Sequence, residues 1–372
     1  MTILMSKPSI GNAELKFVAK VFESGWLGEG NYTELFEQEI ARFTGAKYVV
    51  AVNTGTSALH LALHALGIGK RDEVILPSLT FVSDAQAIIM CRAKPVFCEI
   101  DEETLNTDPN KIKSLITKNT KAIMPTDFAG LPCDMTAIRR IVGNQDIKLV
   151  RDASHSFASM DDGKVVGLSS GEDVTCFSFD PIKNITCGEG GAILIKDGSL
   201  AEKLTSQKML GIMRSTWHSF SQKKSEDRRA VQEGFRYHMS NINAAIGLAQ
   251  LMRIKTITRK KQKLAKLYDE LLAKNNNIKL FKRDYDKIVP FMYVIRVAAQ
   301  DRDKLITHLV QKGIHAGLRY LPCHLHPFFS SKKTKLPVTE EVAQEILSIP
   351  LHSELTAKQV KQIVSEINSY FE

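Results

Sequence analysis

Lys183 lies in the run Phe177-Ser178-Phe179-Asp180-Pro181-Ile182-Lys183-Asn184, with Cys187-Gly188-Glu189-Gly190-Gly191 just beyond it. A strand-like apolar stretch precedes it and a glycine cluster follows, so backbone there can approach a ligand closely. Asp152 closes another apolar run in Val150-Arg151-Asp152-Ala153-Ser154-His155. A lysine amine forms Schiff bases with carbonyl compounds, and an aspartate beside a pyridine nitrogen keeps that nitrogen protonated. The pair is the minimum equipment for chemistry with pyridoxal phosphate. Each residue also has a plainer use. The chain has 50 Lys and Arg, and most must be solvated. An aspartate after a strand often caps the next turn.

Two further groups sit at comparable places. Asn53-Thr54-Gly55-Thr56-Ser57-Ala58 joins a strand to a helix. Unpaired N–H groups at a helix start, with the helix dipole, favour a phosphate. The same Gly-Thr-Ser pattern also caps helices that bind nothing. Phe81, in Pro77-Ser78-Leu79-Thr80-Phe81, is either a core aromatic or a flat ring at a strand-to-helix junction, placed to stack on a cofactor.

The elements that must position these residues alternate. Tyr48 to Val52, Glu73 to Leu76, Pro95 to Ile100, Lys121 to Met124 and Lys148 to Arg151 read as strands, and Thr56 to Leu66 reads as a helix between the first two. Ser83 with Gln86 resembles a capping box for a helix to about Met90, and Asp134 is placed to cap another. Val174 to Phe179 and Ala192 to Ile195 read as a hairpin-like pair flanking Lys183. Strands apolar on both faces, alternating with helices, predict a mostly parallel sheet covered by helices. Ligands then bind beyond the carboxyl ends of the strands. Residues 206–233 read as polar and irregular. One long helix is expected from Asn243 to Lys274, with Asn275-Asn276-Asn277 stopping it. Beyond it, Phe291 to Ala298 reads as a strand. Asp301 is placed to cap a helix ending at Gly313, and Thr356 a terminal helix. The expected division is a large domain over residues 1–255 and a smaller α+β domain over residues 256–372.

The 372 residues suffice for two cores. With 44% hydrophobic and 24% charged residues, the composition is that of an ordinary globular protein, and no apolar stretch reaches the length of a membrane span. No secretory signal is expected from the first residues. The six cysteines form no Cys-x-x-Cys pair and sit in apolar runs, which predicts buried, reduced thiols and a cytoplasmic location. The net charge of +9 is scattered. Its densest cluster, Lys223-Lys224 with Arg228-Arg229, is interrupted by Ser225, Glu226 and Asp227 and reads as a solvated loop, not a nucleic-acid surface. His324 and His326 have His-x-His spacing but no companion ligand cluster, so no metal site is expected.

In order along the chain stand Ser24-Gly25-Trp26-Leu27-Gly28-Glu29-Gly30, Asn53 to Leu63, Pro77 to Phe81, Asp101-Glu102-Glu103-Thr104 and Gly130 to Met135. They are followed by Asp152-Ala153-Ser154-His155, Phe177-Ser178-Phe179 leading to Lys183-Asn184, Met239-Ser240 through Gly247, and Ile349-Pro350-Leu351-His352. Over nearly its whole length the chain resembles the sugar aminotransferases of the DegT/DnrJ/EryC1/StrS family. The resemblance implies the fold of aspartate aminotransferase, the α/β PLP-dependent transferase fold type I. That fold has a mostly parallel seven-stranded sheet flanked by helices and a smaller α+β C-terminal domain.

It also implies pyridoxal 5'-phosphate, with pyridoxamine 5'-phosphate as its alternate form. By residue, Lys183 matches the lysine that holds the cofactor and Asp152 the partner of the pyridine nitrogen. His155 matches a Gln or His position beside the ring. Gly55, Thr56, Ser57 and Ser178 match the phosphate cup, and Phe81 the stacking aromatic. Family members are homodimers with shared sites. The family block Gly-Phe-Asn-Tyr-Arg, whose Asn reaches the partner subunit's phosphate, is here Gly234-Phe235-Arg236-Tyr237-His238, which places Arg236 in that role. A His-Tyr pair near the substrate is here Arg319-Tyr320, and Arg319 is either a partner for a nucleotide diphosphate or a surface arginine. Trp26 is a further substrate candidate. The implied reaction moves an amino group from L-glutamate to a nucleotide-linked keto sugar, with 4-keto-6-deoxy sugars as the expected substrates and 3-keto sugars as the alternative. The sugar dehydratases of the family carry histidine where Lys183 stands, which argues against dehydration. A non-catalytic cofactor-binding protein is the rival from another class.

Overall fold

The structure is a computed structural model that describes residues 2–168, 171–212, 229–330 and 334–372. Of the basic cluster Lys223-Lys224 with Arg228-Arg229, all but Arg229 lies outside the described residues. Short β-branched runs form the strands β1 (Tyr48–Val52), β2 (Glu73–Pro77), β3 (Lys94–Cys98), β4 (Thr120–Ile123) and β5 (Lys148–Asp152). After a small hairpin, β6 (Met160–Asp161) and β7 (Lys164–Val165), come β8 (Val174–Ser178) and β9 (Gly191–Ile195). The seven-stranded sheet has the order β1-β9-β8-β5-β4-β2-β3. Its strands are parallel except β9, which pairs antiparallel with both β1 and β8. All five residues of β2, β8 and β9 are buried, because helices cover both faces.

On one face lie α1 (Asn12–Ser24), α2 (Asn31–Thr44), α8 (Asn241–Met252) and the start of α9 (Ile254–Leu272). Phe36, Phe157, Phe177 and Phe179 fill the space beneath them. Burial of each such ring contributes about 1.5–3 kcal/mol. On the other face lie α3 (Gly55–Ala65), α4 (Ser83–Met90) and α7 (Gly198–Gln207), packed on Val50, Leu76 and Ile193. The short α5 (Pro109–Ile112) and α6 (Met135–Val142), capped by Asp134 as expected, close the β3–β4–β5 edge. A separate three-stranded sheet contains β10 (Lys279–Leu280), β11 (Tyr293–Arg296) and β12 (Ile346–Ile349) in that order. It packs with α9, α10 (Ala299–Gln311) and α12 (Ala357–Phe371) around Tyr268, Tyr293 and Ile363. Residues Pro337–Glu345 form α11. Thr356 caps α12 with a full capping box to Gln359.

Three local expectations fail, each because a side chain has a better partner. The single helix from Asn243 to Lys274 is two helices broken at Arg253. Arg253 leaves helical backbone and donates to Glu14 Oε1 at 2.7 Å. Ser83 forms no capping box; its hydroxyl donates to Asp84, whose buried carboxylate also draws the Thr80 and Thr126 hydroxyls. Asp301 does not cap α10 but accepts from the Tyr370 hydroxyl in its first turn.

Arg151, on β5 just before Asp152, is fully buried. It donates through Nε to Asp127 Oδ2 at 2.9 Å and through Nη1 to Asp161 at 2.8 Å. Asp127 also accepts from the Ser156 hydroxyl and the Cys133 amide. Removing one partner leaves a buried uncompensated charge. Arg151→Met should therefore lower the unfolding free energy by about 3–5 kcal/mol in a denaturant titration. Arg151→Met with Asp127→Leu should recover part of that loss; no recovery would mean that the charge pairing is not what Arg151 supplies.

Candidate active site

The carboxyl ends of β1, β2, β5 and β8 converge on a cavity of about 330 Å³. Each strand delivers one part of it. After β1, Thr54 caps α3: its Oγ1 accepts from the Ser57 amide at 3.0 Å. Gly55 and Thr56 line the cavity at this helix start. Gly55 lies so close to β8 that a Cβ there would stand 2.6 Å from the Ser178 Cβ. A Cβ on Gly191 would stand 2.4 Å from the Thr54 carbonyl oxygen. Glycine at these two positions lets α3, β8 and β9 meet. After β2 come Thr80 and Phe81, the latter half exposed at the mouth.

Asp152 ends β5 with its carboxylate buried. Its Oδ1 accepts from the Ser154 amide at 3.0 Å and the Ser154 hydroxyl at 2.5 Å. Burial pushes its pKa up, and the Ser154 hydrogen bonds and the nearby Lys183 charge oppose that rise. Asp84, also fully buried, is pushed well above the usual carboxylate range by burial and by the Asp152 charge.

Lys183 sits in the β8–β9 connection, its amide donating to the Asp180 carbonyl at 3.0 Å. Its ammonium stands 4.4 Å from the centroid of the Phe291 ring. Burial lowers its pKa to about 8, against the pull of Asp152, Asp180 and Asp84. Asn184 ties this turn to the β5 side: its Nδ2 donates to the carbonyls of His155 at 3.2 Å and Phe157 at 3.1 Å.

His155 is buried and stacked on Phe291, with ring centroids 4.1 Å apart and planes at 10°. Burial, then the charges of Lys183, Arg319 and Lys261, push its pKa well below the usual range, so the imidazole is neutral. Its Nε2 is 3.4 Å from the Tyr320 hydroxyl, while its Nδ1 has no hydrogen-bond partner among the described residues. Arg319 and Tyr320 form the wall facing the sheet. Arg319 Nη1 is buried without a hydrogen-bond partner among the described residues. The Tyr320 ring tilts against Phe81 at 5.3 Å. The segment carrying them is pinned at Ser78, whose hydroxyl is 2.6 Å from His324 Nδ1 and whose carbonyl accepts from the Cys323 amide at 2.7 Å. His324 Nε2 stands 3.2 Å from Glu340, so its ring is taken by Ser78 and Glu340.

Of the residues singled out from sequence, Lys183, Asp152, His155, Gly55, Thr56, Ser178, Phe81, Arg319 and Tyr320 line this one cavity. Ser57 instead faces Thr54 inside the helix cap, its Oγ 2.9 Å from Thr54 Oγ1. Trp26 lies in the α1–α2 connection, donating its indole N–H to the Glu29 carbonyl at 2.7 Å. The Arg236 backbone pairs with Met209, and its side chain is not in this wall. Sequence reasoning missed Thr54, Ser154, Asp180 and Glu189 in the wall, and Phe291 behind Lys183. Thr54 and Ser154 were detectable as capping-type residues beside the motifs; Phe291 gave no signal, because its role depends on a contact across more than a hundred residues.

Pyridoxal phosphate fits these residues. The phosphate has a helix start and a glycine-lined cleft. The pyridine nitrogen has a buried carboxylate, and the unpartnered His155 Nδ1 and Arg319 Nη1 leave polar groups for a ligand to satisfy.

Residues 8–368 match the DegT/DnrJ/EryC1/StrS aminotransferase family. The spore coat polysaccharide biosynthesis protein SpsC of Bacillus subtilis is 35% identical over 372 residues, covering 97% of this chain and 95% of that protein. The aminotransferase TlmJ of Streptoalloteichus hindustanus superposes with a TM-score of 0.92 at 32% identity, covering 99% of this chain and 98% of that one. PseC of Helicobacter pylori, an aminotransferase involved in the biosynthesis of pseudoaminic acid, gives 0.92 at 25% identity, covering 100% and 99%.

The Gly55–Ser178 approach yields a stability prediction. Gly55→Ala should destabilise the fold by about 1–3 kcal/mol through overpacking. Ser178→Gly in the same background removes the opposing Cβ and should restore part of it, read as thermal unfolding. A Gly55→Ala protein as stable as the parent would show that the cleft is looser than described.

Proposed function

The chain belongs to the DegT/DnrJ/EryC1/StrS aminotransferase family, and on that premise we propose that it moves the amino group of L-glutamate to a nucleotide-linked keto sugar. The class of reaction, PLP-dependent sugar transamination, is that of the family and its structural neighbours. The observation that carries our reading is the Lys183 amine and the Asp152 carboxylate on the wall of one cavity.

When bound, the pyridoxal ring supplies an electron sink for the carbon that exchanges its proton. The chain supplies the rest. Lys183 Nζ holds the cofactor and, once released, moves that proton. An amine with a pKa of about 8 keeps a usable fraction as free base near neutrality, and the fraction rises with pH. Asp152 holds the proton on the pyridine nitrogen. Its buried carboxylate, already held by Ser154 and the Lys183 charge, would be stabilised further by a cation there. His155, neutral and held by its stacking on Phe291, would help to fix the ring. Gly55, Thr56 and Ser178 form the phosphate cup, with Ser57 bracing it through Thr54, and Phe81 with Tyr320 forms the apolar walls that exclude water.

Arg319 is our candidate for the diphosphate of the sugar nucleotide, since a guanidinium matches phosphate geometry and Nη1 has no partner among the described residues. Arg236 reaches the phosphate in the partner subunit of a homodimer, and Trp26 contributes to the sugar site. Residues 1–255 form the cofactor domain and residues 256–372 the smaller domain that contributes Arg319 and Tyr320. The substrate is a 4-keto-6-deoxy sugar aminated at C4, for surface polysaccharide or a glycosylated metabolite. The similarity to SpsC and PseC supports that setting.

Lys183→Ala and Lys183→Arg should each lose at least about a hundredfold in transamination, with near-parental turnover contradicting the assignment. A panel of 3- and 4-keto sugar nucleotides offered with glutamate should yield a C4-aminated product by mass and NMR. Amination at C3 alone would overturn the positional reading while leaving the role of Lys183 intact.

A further inference from the structure

Two carboxylates in the cavity wall have no part in holding the cofactor. Asp180 lies two residues after the end of β8, and Glu189 two residues before the start of β9. The last pair of the β8–β9 ladder is Ser178 with Gly191. One more bond joins the chains beyond it, from the Phe179 amide to the Gly190 carbonyl at 2.8 Å. Asp180 and Glu189 are the next residue on either side, and both line the cavity that Lys183 lines. Asp180 is half-buried, and Glu189 is exposed at the mouth. Burial, then the Asp180 charge, raises the Glu189 pKa, as expected of two acids on one wall.

Their backbones are pinned while most of their oxygens stay free. Asp180 Oδ1 accepts from the Ile182 amide at 3.0 Å, and the Asp180 carbonyl from the Lys183 amide at 3.0 Å. Beside Glu189, the Gly188 amide donates to Thr186 Oγ1 at 2.9 Å, and the Cys187 carbonyl accepts from Asn243 Nδ2 at 2.7 Å. Among the described residues, no donor reaches Asp180 Oδ2 or either Glu189 oxygen, and neither acid has an ion pair. Arg319, in the facing wall, leaves its Nη1 free. His155, 2% exposed, lines the same cavity with its Nδ1 unpartnered among the described residues, a further polar group for a ligand to satisfy. The cavity thus presents free acceptors at the strand ends and a free guanidinium opposite them.

An ionised carboxylate accepts hydrogen bonds and donates none. A sugar ring offers hydroxyl donors, and hydrogen bonds from them to a charged acceptor are the strong kind. Glutamate offers carboxylates, which a pair of acids repels. Among the described residues there is no cluster of three metal-ligating side chains, so the pair does not belong to a metal site of that kind.

We propose that Asp180 and Glu189 are specificity-determining residues for the amino acceptor: they take hydrogen bonds from neighbouring hydroxyls of the sugar ring, and with Arg319 on the phosphates they fix the ring with its carbonyl carbon toward Lys183. This rests on the reading of the acceptor as a nucleotide-linked keto sugar. The pair acts on the sugar half of the reaction, since the same charges oppose the carboxylates of the amino donor.

The test measures the two halves apart, on the full-length protein loaded with pyridoxal 5'-phosphate. Glutamate alone converts the bound cofactor to its pyridoxamine form, read as loss of the visible band. A dTDP- or UDP-linked 4-keto-6-deoxyglucose then restores the band. Glu189→Ala removes one acceptor. Asp180→Asn keeps the bond from the Ile182 amide and loses the charge. Each should slow the sugar half at least about tenfold more than the glutamate half, the loss expected for a hydrogen bond to a charged group. The same sugar nucleotide without its C3 hydroxyl should react at least about tenfold more slowly in the parent, and that penalty should shrink in the variants, whose hydroxyl partner is gone. Equal slowing of both halves, or a deoxy penalty undiminished in both variants, would overturn the assignment. Asp180 also acts on Lys183, so if Asp180→Asn slows both halves alike, Glu189→Ala decides. Thermal unfolding confirms that the variants fold. A parent whose band no keto sugar restores refutes the reading of the reaction itself. A parent that responds, with variants that match it, refutes only the role of the two acids.

Discussion

Lys183 brings an amine into a pocket with little water, and the surrounding structure answers the consequence. Burial favours the neutral amine and lowers its pKa to about 8, while Asp152, Asp180 and Asp84 pull it back toward the charged form. Neither extreme would serve. An amine left in water would stay protonated at neutral pH, and an amine buried without carboxylates would lose its charge altogether. The balance needs acids at short range that are themselves kept dry, and both Asp152 and Asp84 are buried and raised.

The sheet provides that arrangement through register. β5 and β8 are parallel neighbours, with Asp152 opposite Cys176, so Asp152 and Ser178 emerge at the same end. β9 then turns back antiparallel, which leaves the chain between β8 and β9 looped over the carboxyl ends with Lys183 on it. Asn184 fastens the loop to the His155–Phe157 segment, and Phe291 fills the space between His155 and Lys183. Beneath the site, the Arg151–Asp127–Asp161 ion cluster anchors the segment that carries Asp152 and His155.

Much of this was legible in the sequence, and the reason is local. The strands of the parallel sheet are apolar on both faces and short, so they announce themselves, and the ligating residues lie within a few positions of strand ends. Lys183, Asp152 and the Gly55 turn could be found that way. Where a residue's environment is set by distant chain, the reading faltered. The break at Arg253 depends on Glu14, which sits far away on α1. The capping box at Ser83 gave way to Asp84, whose buried partners Thr80 and Thr126 come from two different strands' ends. Arg319 read equally as surface or site until the fold placed it in the cavity wall. Asp180 and Glu189 went unread, because their place in the wall depends on how β8 and β9 end side by side.

The Lys183 amine, lowered in pKa and set in the wall of the cavity, makes the central claim directly measurable. The protein loaded with pyridoxal 5'-phosphate is reduced with borohydride, digested, and the modified peptide identified by mass. A single adduct on Lys183 is the predicted result. An adduct on Lys261, or on any other lysine with Lys183 unmodified, would contradict the account.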